Sequence, residues 1–258
     1  MRRKRKAHSW GQRHRVTFDA SKESFHILHP LWHEDTLFKM LGVLIDSGFT
    51  MIPLVDSLLE KLRPKVRAIL RMRHVYSINA LMEQFKMHVW SHLEYCAGAI
   101  VAAKPRERER LDKLQRGFFY DLEMCDSEAF VVYNLAPPSL RRAIGMLGFL
   151  HKRVLGLCHP RLLQELPMAC DQANRFHNRS LEDNFSKVIE RPSMYNNSLW
   201  YFVLVYNRLP QEIVDLTCIK KFQGKLTQLA KMRASNNDPR WRLSFQDCAD
   251  VCSFFYCN

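Results

Sequence analysis

Arg63, Arg67 and Arg71 stand four residues apart, with Lys61 and Lys65 between and before them and Arg73 just beyond. At about 3.6 residues per helical turn, that spacing keeps the three guanidinium groups on one face and turns the two lysines to another flank. Fixed positive charge at this pitch suits the neutralisation of successive phosphates, which releases their condensed counterions. The intervening Val55, Leu58, Leu59, Leu62, Val66, Ile69 and Leu70 fall within an arc of roughly 120°. The segment from 51 to 75 therefore reads as an amphipathic helix with basic flanks. Pro64 lies outside the apolar stripe, where it either kinks this helix or opens a new one.

Residues for bond-making chemistry are sparse. The adjacent carboxylates are Glu34-Asp35 and Glu182-Asp183, and both read as surface or capping groups. There is no Asp-Asp pair, no phosphate-cradling glycine loop, no nucleophile elbow and no His-Glu-x-x-His. His8, His14, His26, His29 and His33 crowd the start of the chain, without cysteines or an i,i+4 helical pair to complete a metal site. Cys248, Cys252 and Cys257 have no histidine after His177 and no second cysteine pair to close a tetrahedron. We therefore expect no catalytic residue, no metal and no cofactor.

The net charge of +13 over 258 residues favours polyanionic partners. Residues 1–164 hold 27 of the 39 Lys and Arg against 16 of the 26 Asp and Glu, so a nucleic-acid surface belongs in the first two thirds. Apolar residues at 47% and charged residues at 25% are ordinary for a globular protein. No secretory signal or membrane span is legible; Trp200–Tyr206 is among the longest uncharged apolar runs. The eight cysteines then read as reduced thiols filling apolar space, in nucleus or cytoplasm. Arg2-Arg3-Lys4-Arg5-Lys6 suits either nuclear import or a disordered basic arm.

Three β-like runs precede the helices, at 14–18, 23–28 and 38–45. Beyond 51 the period becomes helical. A six-turn spine over 78–101 would bury Ile78, Leu81, Met82, Phe85, Val89, Leu93, Cys96 and Ile100. A mixed-charge helix over 105–121 turns Leu111, Leu114 and Phe118 inward, and Lys113 is counted on its solvated face. Pro137-Pro138-Ser139 opens a helix to 157, with Gly145 and Gly148 permitting a close neighbour. A loop-rich connection follows, then a buried-looking aromatic run ending at Tyr206. Thr217 is expected to cap a helix reaching Lys231, and the segment from Trp241 is expected to dock as a short helix.

Phe38 to Asp46, the basic helix and then His92-Leu93-Glu94-Tyr95-Cys96 follow one another in an order that resembles the end of non-LTR (LINE-type) retrotransposon reverse transcriptases. In that family a hairpin, which Leu41-Gly42-Val43 through Asp46 resembles, ends the palm and gives way to the thumb. The resemblance runs from about Trp10 to Leu229, with Trp10, His14–Phe18 and Ser21-Lys22 matching the palm after the catalytic aspartates. It continues through Leu135-Ala136-Pro137-Pro138-Ser139-Leu140-Arg141-Arg142 and Tyr206-Asn207-Arg208-Leu209-Pro210, where many relatives carry Trp in place of Tyr206.

The resemblance implies a mainly α fold, a helical thumb-like body with a small antiparallel β remnant at its N-terminus. The expected parts are a basic disordered arm (1–13), the palm-end remnant (14–50), the thumb-like domain (51–165), a loop-rich connection (166–195) and a C-terminal helical region (196–258). It implies a fragment of an RNA-directed DNA polymerase without its catalytic aspartates, inactive alone, that binds RNA or RNA–DNA duplex backbone without sequence preference. Lys61, Arg63, Lys65, Arg67, Arg71 and Arg73 would contact phosphates, and Lys22 matches a lysine near the incoming nucleotide. The rival expectations are a helical module that docks a protein through exposed apolar surface and a decayed element without function.

Overall fold

The computed structural model describes residues 2–19, 37–169, 176–182 and 199–256. The fold is mainly α, and among the described residues the one sheet is a two-stranded antiparallel hairpin. The expected strand at 23–28, Lys22, the histidines at 26, 29 and 33, and Glu34-Asp35 lie outside the described residues.

Two β expectations need correction. The run 38–45 is a hairpin of β1 (Leu37–Met40) and β2 (Val43–Asp46), with Leu37 opposite Asp46 and Met40 opposite Val43. Leu41 and Gly42 turn the chain with φ of 49° and 83°, the left-handed pair that matches the twist of a two-residue hairpin. Glycine takes this conformation freely and leucine does not, but the Leu41 carbonyl is held by the Tyr95 hydroxyl at 2.6 Å. Residues 14–18 form no strand: Arg15 has φ 55° and Val16 N–H donates back to the Gly11 carbonyl at 2.8 Å. The basic segment expected as a disordered arm is instead helix α1 (Arg2–Arg13).

Asp46 joins the hairpin to the helices. Its two carboxylate oxygens each accept a backbone N–H, from Thr50 and Met51, both at 3.0 Å, which aims the chain into α2 (Ile52–Arg71). Pro64 neither ends this helix nor starts another. Its ring faces solvent, and the exposed Glu60 carbonyl that loses its partner remains open to water. The expected spine is interrupted: α3 (Ile78–Phe85) leads through a π-helical turn, Lys86–Trp90, into α4 (Ser91–Tyr95) and, after a break at Cys96, α5 (Ala97–Ile100). Leu81, Met82, Phe85, Val89, Leu93, Cys96 and Ile100 are buried as read, whereas Ile78 is 44% exposed at the first position after the Ser77 cap.

Prolines open α6 (Pro105–Tyr120), α8 (Pro138–Val154) and α9 (Pro160–Glu165), positions where the missing N–H costs nothing. Between the first two lies α7 (Asp126–Tyr133), and α10 (Leu199–Tyr206), α11 (Gln211–Val214), α12 (Ile219–Ser235) and α13 (Cys248–Tyr256) follow. Cys218, not Thr217, precedes the first turn of α12. Of the two glycines expected at a close contact, Gly148 fits, since a Cβ there would meet the Gln223 side chain of α12. Gly145 faces open space.

The buried side chains form two cores. The first joins Ile45, the apolar faces of α2 to α5, and Leu111, Phe118 and Phe119 of α6, with Phe85 stacked on Phe118 at 4.3 Å. The second joins Leu140, Ile144, Leu147 and Leu150 of α8 to Val203, Tyr206, Phe222, Leu226, Phe245 and Val251. Thus α8, expected with the thumb-like body, lies in the later core. Among the described residues no helix is long and apolar enough to cross a membrane.

Candidate nucleic-acid interface

The cations read from the sequence divide between two flanks of α2. Burial of Leu62, Val66 and Ile69 fixes the roll of the helix. Arg63 and Arg67 then line a groove of about 300 Å³ against α6, with Arg110, Lys113 and Gly117 on its far wall and Asp121 at one end. Arg67, Arg71, Arg73 and His74 continue it as a second hollow of about 380 Å³, again beside Asp121. Arg110 is neutralised by Asp56 at 2.7 Å and Glu107 at 2.5 Å. Among the described residues Arg63, Arg67, Arg71 and Lys113 have no carboxylate partner, so this groove carries uncompensated positive charge. Lys113 was missed because α6 alternates its charges along the sequence. Only its packing against α2 places Lys113 in the groove while Arg110 is spent on carboxylates.

Lys61 and Lys65 face the other way, toward α4. Their ammonium groups lie 3.5 Å from Nδ1 and 2.9 Å from Nε2 of His92, and Lys65 also donates to the His88 carbonyl at 3.3 Å. Partial burial, then Lys65, Lys61 and His88, hold the imidazole pKa below the usual histidine value. A neutral ring has one lone pair, and the short contact assigns it to Nε2, which accepts from Lys65. No sequence signal paired His92 with these lysines.

The rest of His92-Leu93-Glu94-Tyr95-Cys96 is structural. Leu93 and Cys96 are buried in the first core. Glu94 receives a bidentate contact from Arg141 at 3.0 and 3.1 Å, and that guanidinium also lies 4.8 Å over the Trp90 ring. Tyr95 ties down the hairpin turn, as described above.

The two later motifs also brace the fold. Arg142, beside Arg141, donates to both oxygens of Asp112 at 2.8 and 3.0 Å, and both side chains are nearly buried. Burial raises the Asp112 carboxyl pKa, against the pull of Arg142. Asn207 exchanges two hydrogen bonds with the backbone of Leu181, at 2.9 and 2.8 Å. His177 Nε2 donates to the Tyr206 carbonyl at 3.0 Å and its Nδ1 accepts from Arg179 N–H at 3.1 Å. His151 Nε2 donates to the Leu216 carbonyl at 2.5 Å, which leaves Nδ1 to accept from the Tyr206 hydroxyl at 2.9 Å. Burial is the first cause that lowers both histidine pKa values and raises that of the tyrosine.

Among the described residues no three His, Cys, Asp or Glu side chains converge on a point where a metal ion would sit. Glu182 is exposed, and its neighbour Asp183 lies outside the described residues. No protein-family model, no curated protein and no solved structure matches the chain.

Proposed function

We propose that this chain is a thumb-like part of a LINE-type reverse transcriptase that grips nucleic-acid backbone and supplies no catalytic carboxylates. The observation that carries the reading is the row of Arg63, Arg67 and Arg71 beside Lys113, a groove of cations without carboxylate partners among the described residues. Such a row contacts phosphates and not base edges, so it holds RNA or RNA–DNA duplex without sequence preference. The order of the hairpin, the basic helix and His92 to Cys96 supports the assignment to that family.

The test is duplex binding across a salt series. Wild type binds with an affinity that falls linearly in log–log form as salt rises. R63Q/R67Q/R71Q flattens that slope by about 2.7 and weakens unrelated duplex sequences equally. Helix propensity changes little with these substitutions. A wild-type protein with no salt-dependent affinity for any duplex overturns the proposal.

A further inference from the structure

The flank of α2 away from the groove holds an arrangement that a solvated surface does not call for. Two ammonium groups, Lys61 and Lys65, converge on one imidazole, His92, with His88 one turn earlier on the same side. The acidic side chain on α4, Glu94, is turned away and engaged by Arg141. The Cys96 thiol, one turn on, is buried and also feels Lys61. Among the described residues no carboxylate pairs with either ammonium group, and burial first, then repulsion by the two lysines, keeps His92 from adding a third charge. An anion placed between the ammonium groups reverses that balance. It removes the repulsion that opposes protonation, and the imidazolium gains an N–H aimed at the oxygen that has arrived.

We propose that Lys61, Lys65 and His92 form a phosphate site that takes a backbone phosphodiester with uptake of one proton by the imidazole. The site rests on the backbone-binding reading above and adds to it a dependence on pH. One proton per bound phosphate strengthens binding by up to tenfold for each pH unit lowered, over the interval between the free and bound titration midpoints of His92. The proton comes from solvent and ends on the ring nitrogen that Lys65 occupies in the free protein.

The experiment follows the His92 ring protons by NMR through a pH titration of the full chain, alone, with duplex, and with inorganic phosphate at the same phosphate concentration. Duplex raises the midpoint by at least one unit and inorganic phosphate does not. In parallel, H92Q removes the tightening of duplex binding between pH 8 and 6, and K61Q/K65Q raises the midpoint of the free protein while abolishing the duplex-induced change. Inorganic phosphate that moves His92 as far as duplex does overturns the assignment to backbone. Salt-dependent duplex binding that leaves the His92 midpoint in place overturns this site and spares the groove on the α6 side. Absence of salt-dependent binding overturns both.

Discussion

Replacing Arg142 by methionine probes the junction between the two cores. The change keeps most of the side-chain volume and removes the charge that meets Asp112 at 2.8 and 3.0 Å. Arg142 retains 7% of its side-chain exposure and Asp112 13%, so water, which reaches Asp112 through the hollow it lines with Arg108 and Arg142, replaces the lost partner only in part. Arg108 also acts on Asp112 but is itself disfavoured by burial, so a carboxylate that loses Arg142 escapes chiefly by taking a proton. At pH 7 that costs about three pH units relative to an ordinary carboxyl, or about 4 kcal/mol, which caps the penalty of R142M. The cap falls by about 1.4 kcal/mol for each pH unit lowered. Burial already raises the Asp112 pKa in wild type, so urea unfolding of R142M and wild type at pH 7 and pH 5.5 is expected to show a loss of about 1–4 kcal/mol at the higher pH and up to about 2 kcal/mol less at the lower. Measuring the difference from wild type at each pH cancels titration of the other groups. A loss under 1 kcal/mol, or one that does not shrink with acid, would refute the reasoning.

Two further expectations concern the clasp around Tyr206. His151 and His177 have pKa values below the ordinary histidine value, so the unfolded chain binds protons more readily than the folded one. Their stabilising effect is complete above about pH 6.5 and is lost as pH falls toward the folded values, by at most about 1.4 kcal/mol per unit for each. A urea midpoint that stays flat from pH 6.5 to 5 would contradict this. N207A breaks both bonds to the Leu181 backbone and is expected to cost about 2–4 kcal/mol. Hydrogen exchange at residues 176–182 should rise with it, and unchanged protection there would show that the clasp does not hold that segment.

The helices were legible because their apolar periods are strong and their prolines mark first turns, as at Pro105 and Pro138. The interruption at Lys86–Trp90 was not, because Phe85, Val89 and Leu93 stay on one face whether the turn between them is regular or wide. Composition read 38–45 as one strand, and only the family resemblance pointed to a hairpin, because Leu41 at positive φ breaks the usual rule for turn residues and is held by a tyrosine 54 positions away. Spacing separated the arginines of α2 from its two lysines but did not show what each flank faces. That depends on what packs on each side, α6 with Lys113 and α4 with His92. Arg141 and Arg142 entered only as the end of a motif, and their ion pairs with Glu94 and Asp112 span separations that local patterns do not reach.

The wide turn at Lys86–Trp90 makes this helical stretch tolerant of a change in length. A π-helical turn holds one residue more than the regular turn it replaces. Excision of a solvent-facing member such as Met87, 54% exposed, would let the coil tighten while Phe85 and Leu93 keep their partners. The same excision in α2, which has no slack, would swing every later arginine by about 100° around the axis.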